Sequence, residues 1–141
     1  MAGFTAQVPE LRGTLDDNPQ SIPLVLLPTV GFTATANGEF SVGPHVKVVE
    51  AVVVQTSGTA TPAYTVGIDG WNPAAGAWEN LITSASVATT GAATTVVQVN
   101  PLVPPISNSS AQRVPRRRMR VIVTHTNANA AIYSVDVHAA S

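Results

Sequence analysis

The stretch YTVGIDGWNPAAGAWENLI, residues 64–82, decides the fold of this chain. From Tyr64 to Asp69, apolar and polar residues alternate, which is the period of a β-strand with two unlike faces. A tight turn is then predicted at 72–76, since Pro73 cannot extend a strand and Gly76 tolerates a positive φ. Alternation resumes at Trp78. The stretch therefore predicts a β-hairpin that carries both tryptophans of the chain.

Period-2 alternation continues on both sides of this hairpin, in segments separated by turn residues. Residues 46–55 are the most apolar segment and predict a central strand, covered on both faces or with one face in an interface. Asn37-Gly38 is a hairpin-turn signal. Residues 118–124 and 133–138 predict a C-terminal hairpin. The Pro-, Ser- and Asn-rich segment 101–112 predicts a loop without regular structure.

No segment repeats apolar residues at helical spacing over three turns, so we expect under about a tenth of the chain to be helical. About eight short strands predict an all-β fold, namely a two-sheet antiparallel β-sandwich that is jelly-roll-like in topology. An all-β barrel is the alternative. We expect residues 21–141 to form this sandwich and residues 1–20 to form an extended N-terminal arm.

Composition narrows the class of protein. Charged residues make up 11% of the 141 residues, against about 25% in typical soluble domains. A surface with so little charge suggests that much of it meets other protein, and it predicts a homo-oligomer, with a trimer favoured. The net charge of −1 gives no general attraction to nucleic acid. No apolar run approaches the ~20 residues that span a bilayer, so we expect no membrane partner.

The first 20 residues differ from the rest of the chain, because prolines and glycines interrupt any regular element. One interpretation is a frayed terminus. The other is an arm that places Phe4, Leu11 and Leu15 in pockets on a neighbouring subunit. The basic and apolar regions of a signal peptide are missing from this stretch, so we expect synthesis in a cytosol.

Catalytic and metal-binding patterns are not evident. His45, His125 and His138 do not have the spacing of a zinc motif. Asp69 and Glu79 are the acid pair that the predicted hairpin could bring together, although we expect them to cap turns or to solvate a strand face. There is no nucleophile elbow, phosphate loop or dinucleotide fingerprint. We therefore expect no enzyme, no metal and no cofactor.

Five of the seven cationic residues of the chain fall within eight positions. They are Arg113, Arg116, Arg117, Arg118 and Arg120. One interpretation is a solvated strand edge, where arginine deters edge-to-edge pairing. Another is docking on an acidic protein surface, with Arg116, Arg117, Arg118 and Arg120 as the partner-binding residues. Nucleic-acid binding is disfavoured because no aromatic residues are interleaved for base stacking.

The two tryptophans allow a different kind of site. If Trp71 and Trp78 form an exposed rim, they could stack on sugar rings, with Asp69, Asn72 or Asn80 binding hydroxyl groups. A carbohydrate-binding module is therefore an alternative function. Packing in the core or at a subunit interface is the other interpretation. Sugar binding requires both indoles to be exposed, whereas packing forbids it.

Three stretches, SGTATPAYTVGIDGW, NPAAGAWENL and RRRMRVIVTHTNANAAIYSVDV, carry a resemblance. Across residues 46–138 the chain resembles small β-sandwich virion proteins of tailed bacteriophages. The resemblance implies a non-enzymatic structural protein, made in the host cytoplasm, that decorates or cements the outer surface of the capsid by binding the major capsid protein. A head–tail or tail accessory role is the alternative. The resemblance does not cover the N-terminal third.

Overall fold

A computed structural model of the protein describes residues 10–11 and 22–140, and this part of the chain consists of strands and their connections. Three of the strands contain only two residues each. The strands are β1 (Glu10–Leu11), β2 (Ile22–Phe32), β3 (Ala36–Val42), β4 (Val48–Gly58), β5 (Ala63–Asn72), β6 (Ala77–Thr83), β7 (Val87–Ala88), β8 (Ala93–Val99), β9 (Ser110–Ala111), β10 (Arg118–His125) and β11 (Ala131–Ala140).

The strands form two facing sheets with a nested pairing order. Sheet A has the order β1-β3-β10-β5-β6, with β7 also paired to β5, and sheet B has the order β2-β11-β4-β8-β9. Among the eight long strands, the first pairs with the eighth, the second with the seventh, the third with the sixth and the fourth with the fifth. All of these ladders are antiparallel. This is the pairing of a jelly roll with two sheets, so the predicted fold class is confirmed.

The core fills the space between the sheets, because alternate residues of each long strand point inward. In β4, Val49, Ala51 and Val53 are buried, while the residues between them are only half-buried. Each large apolar side chain that is fully buried contributes about 1.5–3 kcal/mol. The position of β4 in the middle of sheet B confirms the predicted central strand, although its outer face has no cover within the described residues.

The predicted tryptophan hairpin is confirmed. β5 and β6 pair with Trp71 opposite Trp78. In the turn, the Asn72 carbonyl accepts a hydrogen bond from the Gly76 N–H at 2.8 Å, and Gly76 has a φ of +64°. The Asn72 side chain accepts two further bonds from the N–H groups of Ala74 and Ala75. The hairpin is local, which is why the sequence pattern was sufficient to predict it.

Two predicted hairpins are wrong. Asn37-Gly38 lies inside β3, and residues 33–35 connect β2 in sheet B to β3 in sheet A. Glycine is needed at position 38 for close packing, since a Cβ there would lie 2.6 Å from Cγ of Leu26. Residues 118–125 and 131–140 do not form a hairpin either, because β10 belongs to sheet A and β11 to sheet B. Alternation predicted these strands but carries no information on which strand each one joins.

The segment 101–112 has more order than its composition predicts. Ser110 and Ala111 form β9, which pairs in parallel with Gln98 and Val99 of β8. Ile106 and Ser110 form a β-bridge. We refer to residues 100–117, which connect β8 to β10, as the β8–β10 loop. Its backbone hydrogen bonds to β8 explain why a segment rich in proline is held in one conformation.

Strand registers place three connections at the same end of the sandwich. Val49 of β4 lies opposite Val99, and Arg118 at the start of β10 lies opposite Ser41 near the end of β3. The β3–β4 connection at 43–47, the hairpin turn at 73–76 and the β8–β10 loop therefore share one end. The predicted division at residue 20 is not tested, since residues 1–9 and 12–21 lie outside the described part of the chain.

A polar cluster lies among buried aromatic rings toward the opposite end of the sandwich. The Tyr64 hydroxyl donates to Gln55 Oε1 at 2.8 Å, and the Tyr133 hydroxyl lies 2.9 Å from Nε2 of His125. Nδ1 of His125 is buried and has no hydrogen-bond partner among the described residues. Burial lowers the pKa of His125 because desolvation disfavours the charged ring.

A first prediction tests the packing of Gly38. The Gly38→Ala substitution should lower the free energy of unfolding by about 1–3 kcal/mol, because the new Cβ displaces Leu26 from the core. Gly31→Ala is the matched control, since its Cβ would meet only Cγ1 of Ile132 at 3.9 Å. Urea unfolding of both variants measures the difference. Equal stabilities would show that Leu26 relaxes without cost.

A second prediction concerns pH. The unfolded chain binds a proton on His125 near pH 6.5, whereas the folded chain binds it only at lower pH. The free energy of unfolding should therefore be at its plateau above this value and fall as the pH is lowered from 6.5 through the folded-state pKa. Urea unfolding over this range should show a weaker pH dependence for His125→Gln. An unchanged dependence in that variant would contradict the assignment to His125.

Candidate functional site

The outer face of sheet A carries the most concentrated set of charged and aromatic side chains in the described chain. In β10, Met119 and Val121 point into the core, so Arg118 and Arg120 point outward. The register places Arg120 opposite Asp69 of β5. Trp71 lies two residues beyond Asp69 and therefore shares its face. The alternation that builds the core thus also places arginine beside carboxylate and tryptophan.

The two tryptophans and two of the arginines are in direct contact. The rings of Trp71 and Trp78 meet edge to face, with their centroids 5.3 Å apart. The guanidinium carbon of Arg118 lies 4.5 Å from the centroid of Trp71 and 4.9 Å from that of Trp78. That of Arg120 lies 4.6 Å from Trp78. These distances are within the range of cation–π attraction.

The same two arginines also form ion pairs with carboxylates. Arg118 Nη2 lies 2.8 Å from Glu39 Oε1, and Arg120 Nε donates to Asp69 Oδ2 at 2.9 Å. The second oxygen of Asp69 accepts a bond from the Asn80 amide at 3.0 Å. We call the group Glu39, Asp69, Trp71, Trp78, Arg118 and Arg120 the arginine–tryptophan cluster. Stacking and ion pairing together fix the orientation of both guanidinium groups.

A second ion-pair group lies on the other side of sheet A, at the same end of the sandwich. Glu79 Oε1 accepts from Arg113 at 2.6 Å and from Arg116 at 2.9 Å. Hydrogen bonds from Arg116 and then Arg113 lower the pKa of Glu79, so it stays ionised under neutral conditions. Arg117 is exposed and pairs with no carboxylate among the described residues. Five arginines and three carboxylates thus lie around this end of sheet A, on both of its sides, and their formal charges sum to about +2.

The structure combines predicted sites that the sequence kept apart. Arg118 and Arg120 contact Trp71 and Trp78, so the basic strand and the tryptophan rim are one surface. Both indoles are half-buried, and guanidinium groups lie over rings on which a sugar would have to stack. Of the predicted arm residues, Phe4 and Leu15 lie outside the described residues. The described backbone of Leu11 pairs with Val42 of β3.

The acid pair considered from the sequence does not form. Asp69 lies opposite Asn80, and Glu79 lies opposite Gly70. Because successive residues of a strand point to opposite faces, Asp69 and Glu79 lie on different sides of sheet A. Their partners differ accordingly, as Asp69 binds Arg120 and Glu79 binds the arginines of the β8–β10 loop. The register, which the sequence does not show, decides this.

Sequence reasoning missed the apolar side chains of the β8–β10 loop. Leu102, Ile106 and Val114 are 76%, 57% and 69% exposed, the three highest values among the exposed large apolar residues of the described chain. The available signal was their position between prolines and polar residues, in a segment that supplies few residues to the core. Their exposure makes this loop the most apolar part of the described surface by single-residue exposure.

The described part of the chain holds no cluster of three or more His, Asp or Glu side chains that could bind a metal ion. It also contains no helix long and apolar enough to cross a membrane.

No family model matches the sequence, and no curated protein matches it. Among the solved structures that are similar, one chain comes from the structure of infectious bursal disease virus, Gx strain. It has a TM-score of 0.42 and 12% identity, over 88% of this chain and 32% of that one. The present chain thus spans about a third of the viral chain's length. A likeness of this size carries no argument about function.

A third prediction tests the cohesion of the cluster. Arg118→Ala removes an ion pair and two cation–π contacts and should lower the free energy of unfolding by about 1 kcal/mol. Tryptophan emission should shift to longer wavelength as the rings gain water. Arg117→Ala is the control, expected to change stability by less than about 0.5 kcal/mol. Identical spectra and stabilities for the two variants would contradict the described contacts.

Proposed function

We propose that the protein is a non-enzymatic structural component of a bacteriophage virion, which binds the major capsid protein on the outer surface of the head shell and stabilises it as a decoration or cement protein. The arginine–tryptophan cluster is the observation that carries the proposal. Tryptophan and arginine are enriched among the residues that dominate binding energy at protein interfaces. Here two of each lie in contact on one open sheet face.

The fixed orientation of the arginine side chains in the cluster favours docking. Immobilising a flexible side chain at an interface costs about 0.5–1.5 kcal/mol. Arg118 and Arg120 are already held by Glu39 and Asp69 and by the indole rings. A partner that binds this face therefore loses little affinity to side-chain ordering.

The same contacts disfavour the alternatives. Asp69 accepts from Arg120 and Asn80, so it is held as an ion-pair partner rather than placed as a general base. Sugar binding gains no support, because guanidinium groups lie over the indoles. Attachment as a head–tail or tail accessory would use the same face and differ only in the partner.

The charge of the surface indicates the chemistry of the partner. The excess of arginine over carboxylate at this end of sheet A favours a moderately acidic protein surface as the partner, and Arg117 is available to a carboxylate of that surface. We also propose that the protein binds as a homo-oligomer, with a trimer favoured, through apolar outer residues of β4 that are half-buried, such as Val52 and Val54. Residues 1–20 are proposed as a further means of attachment.

A fourth prediction tests shell binding. Purified head shells that lack the protein are incubated with wild type, Trp78→Ala, Arg118→Ala and Thr124→Ala, and occupancy is measured by co-sedimentation. Loss of a central tryptophan or arginine should weaken binding by about tenfold or more. Thr124→Ala is the matched control, since Thr124 is an exposed residue of the same strand at the opposite end of the sandwich.

Circular dichroism of each variant verifies that the sandwich remains folded. If wild type does not bind shells, or if all four proteins bind alike, the proposed role of the cluster is wrong.

A further inference from the structure

At one side of the sandwich, β6 at the edge of sheet A faces the β8–β10 loop, which contains β9 at the edge of sheet B. Within the described residues, β6 pairs with no strand other than β5, and β9 pairs with β8 and, through Ser110, with Ile106 of its own loop. A groove of about 420 Å³ lies between β6 and this loop. Its lining includes Leu81 and Ile82 of β6, and Ile106, Ala111 and Arg113 of the loop. We call it the loop groove.

The free edge of β6 presents backbone groups toward this side. A strand that is paired on one side only leaves a row of N–H and C=O groups available to another chain. Proline and clustered charge, which usually protect such edges, do not occur in β6, where Glu79 is the single charged residue. Both arginines that bind Glu79 offset its charge. A bulge near Leu81 is the one irregularity in the strand.

The wall of the groove opposite β6 mixes apolar and polar side chains, and its backbone is held in place by hydrogen bonds. Ile106 is exposed, yet its backbone N–H donates to the Ser110 carbonyl at 3.0 Å, and its carbonyl accepts from Ser109 and Ser110. The Ser110 hydroxyl donates to the Pro104 carbonyl, and the Asn100 side chain accepts from the Leu102 N–H at 2.9 Å. An apolar side chain on a loop with this much hydrogen bonding is presented in advance of binding, which lowers the entropic cost of docking.

Charge at the rim favours an acidic ligand. Arg113 lines the groove and its side chain is 44% exposed, although Glu79 neutralises part of its charge. Glu79 also forms an ion pair with Arg116. The next residue, Arg117, forms no ion pair with a carboxylate among the described residues. The groove thus adjoins the arginines that lead into β10, where Arg118 and Arg120 of the proposed shell-binding cluster lie on the outer face of sheet A.

We propose that the loop groove accepts an extended segment of the shell protein, which pairs with the free edge of β6 as an added strand. The inference rests on the proposed function and specifies how the partner binds. Main-chain hydrogen bonds to β6 supply affinity in this mode, and alternate side chains of the added strand supply specificity. Those side chains are apolar where they meet Leu81 and Ile106, and one carboxylate of the segment meets Arg113 or Arg117.

The test uses the full chain and head shells that lack it. Ile106→Asp places a charge in the groove, and Ile132→Asp makes the same change at an exposed isoleucine of β11 in sheet B. Occupancy by co-sedimentation should fall at least about tenfold for Ile106→Asp and change little for Ile132→Asp. Circular dichroism of both variants confirms folding.

Hydrogen–deuterium exchange of wild type, free and bound to shells, measures the backbone directly. Every second amide of β6, those pointing away from β5, should become protected on binding. Shell binding by wild type with equal occupancy of both variants, or with unchanged exchange in β6, would overturn the groove inference and leave the proposed function in place. Failure of wild type to bind shells would overturn both.

Discussion

The register between β10 and β5 is the constraint on which both the core and the surface depend. On the inner face it sets Val121 opposite Ile68, and on the outer face it sets Arg120 opposite Asp69. Since side chains alternate with a period of two, a slip of one residue would expose the valines and bury the arginines. The free-energy cost of exposing the valines and burying the arginines maintains the register. The register in turn keeps the ion-pair partners opposite each other. The cluster is thus maintained by packing on the opposite side of the sheet.

The sequence predicted well the features that are local or depend on composition. The turn at 72–76 follows from Pro73 and Gly76, and the central position of β4 follows from its run of valines. The neighbour of each strand in its sheet could not be predicted, because alternation identifies a strand but not the strand with which it pairs. The hairpin predicted at Asn37-Gly38 was wrong for the same reason, because Gly38 is needed for its close packing against Leu26, which lies on another strand. The merging of the arginine and tryptophan sites likewise required the register across three strands.

The basic run has a different meaning in three dimensions. In the sequence it is a block of positive charge, whereas in the fold Arg113, Arg116, Arg118 and Arg120 each contact a carboxylate of sheet A. These carboxylates lie far away in sequence, on β3, β5 and β6. Most of the charge therefore serves to organise the surface itself. Exposed ion pairs contribute only about 0–1 kcal/mol each to stability, so their principal effect is on the shape and orientation of the groups that a partner meets.

The nested strand order also governs how the chain is assembled during synthesis. β11, the last strand of the described chain, lies between β2 and β4 in sheet B. Until residues 131–140 leave the ribosome, β2 and β4 have no strand between them, and each keeps one unpaired edge of backbone N–H and C=O groups. The β5–β6 hairpin can form early because its two strands adjoin in sequence, but closure of the sandwich must await residues 131–140. Sheet B is therefore completed only once residues 131–140 have been made, and their removal would take away the strand that joins β2 to β4.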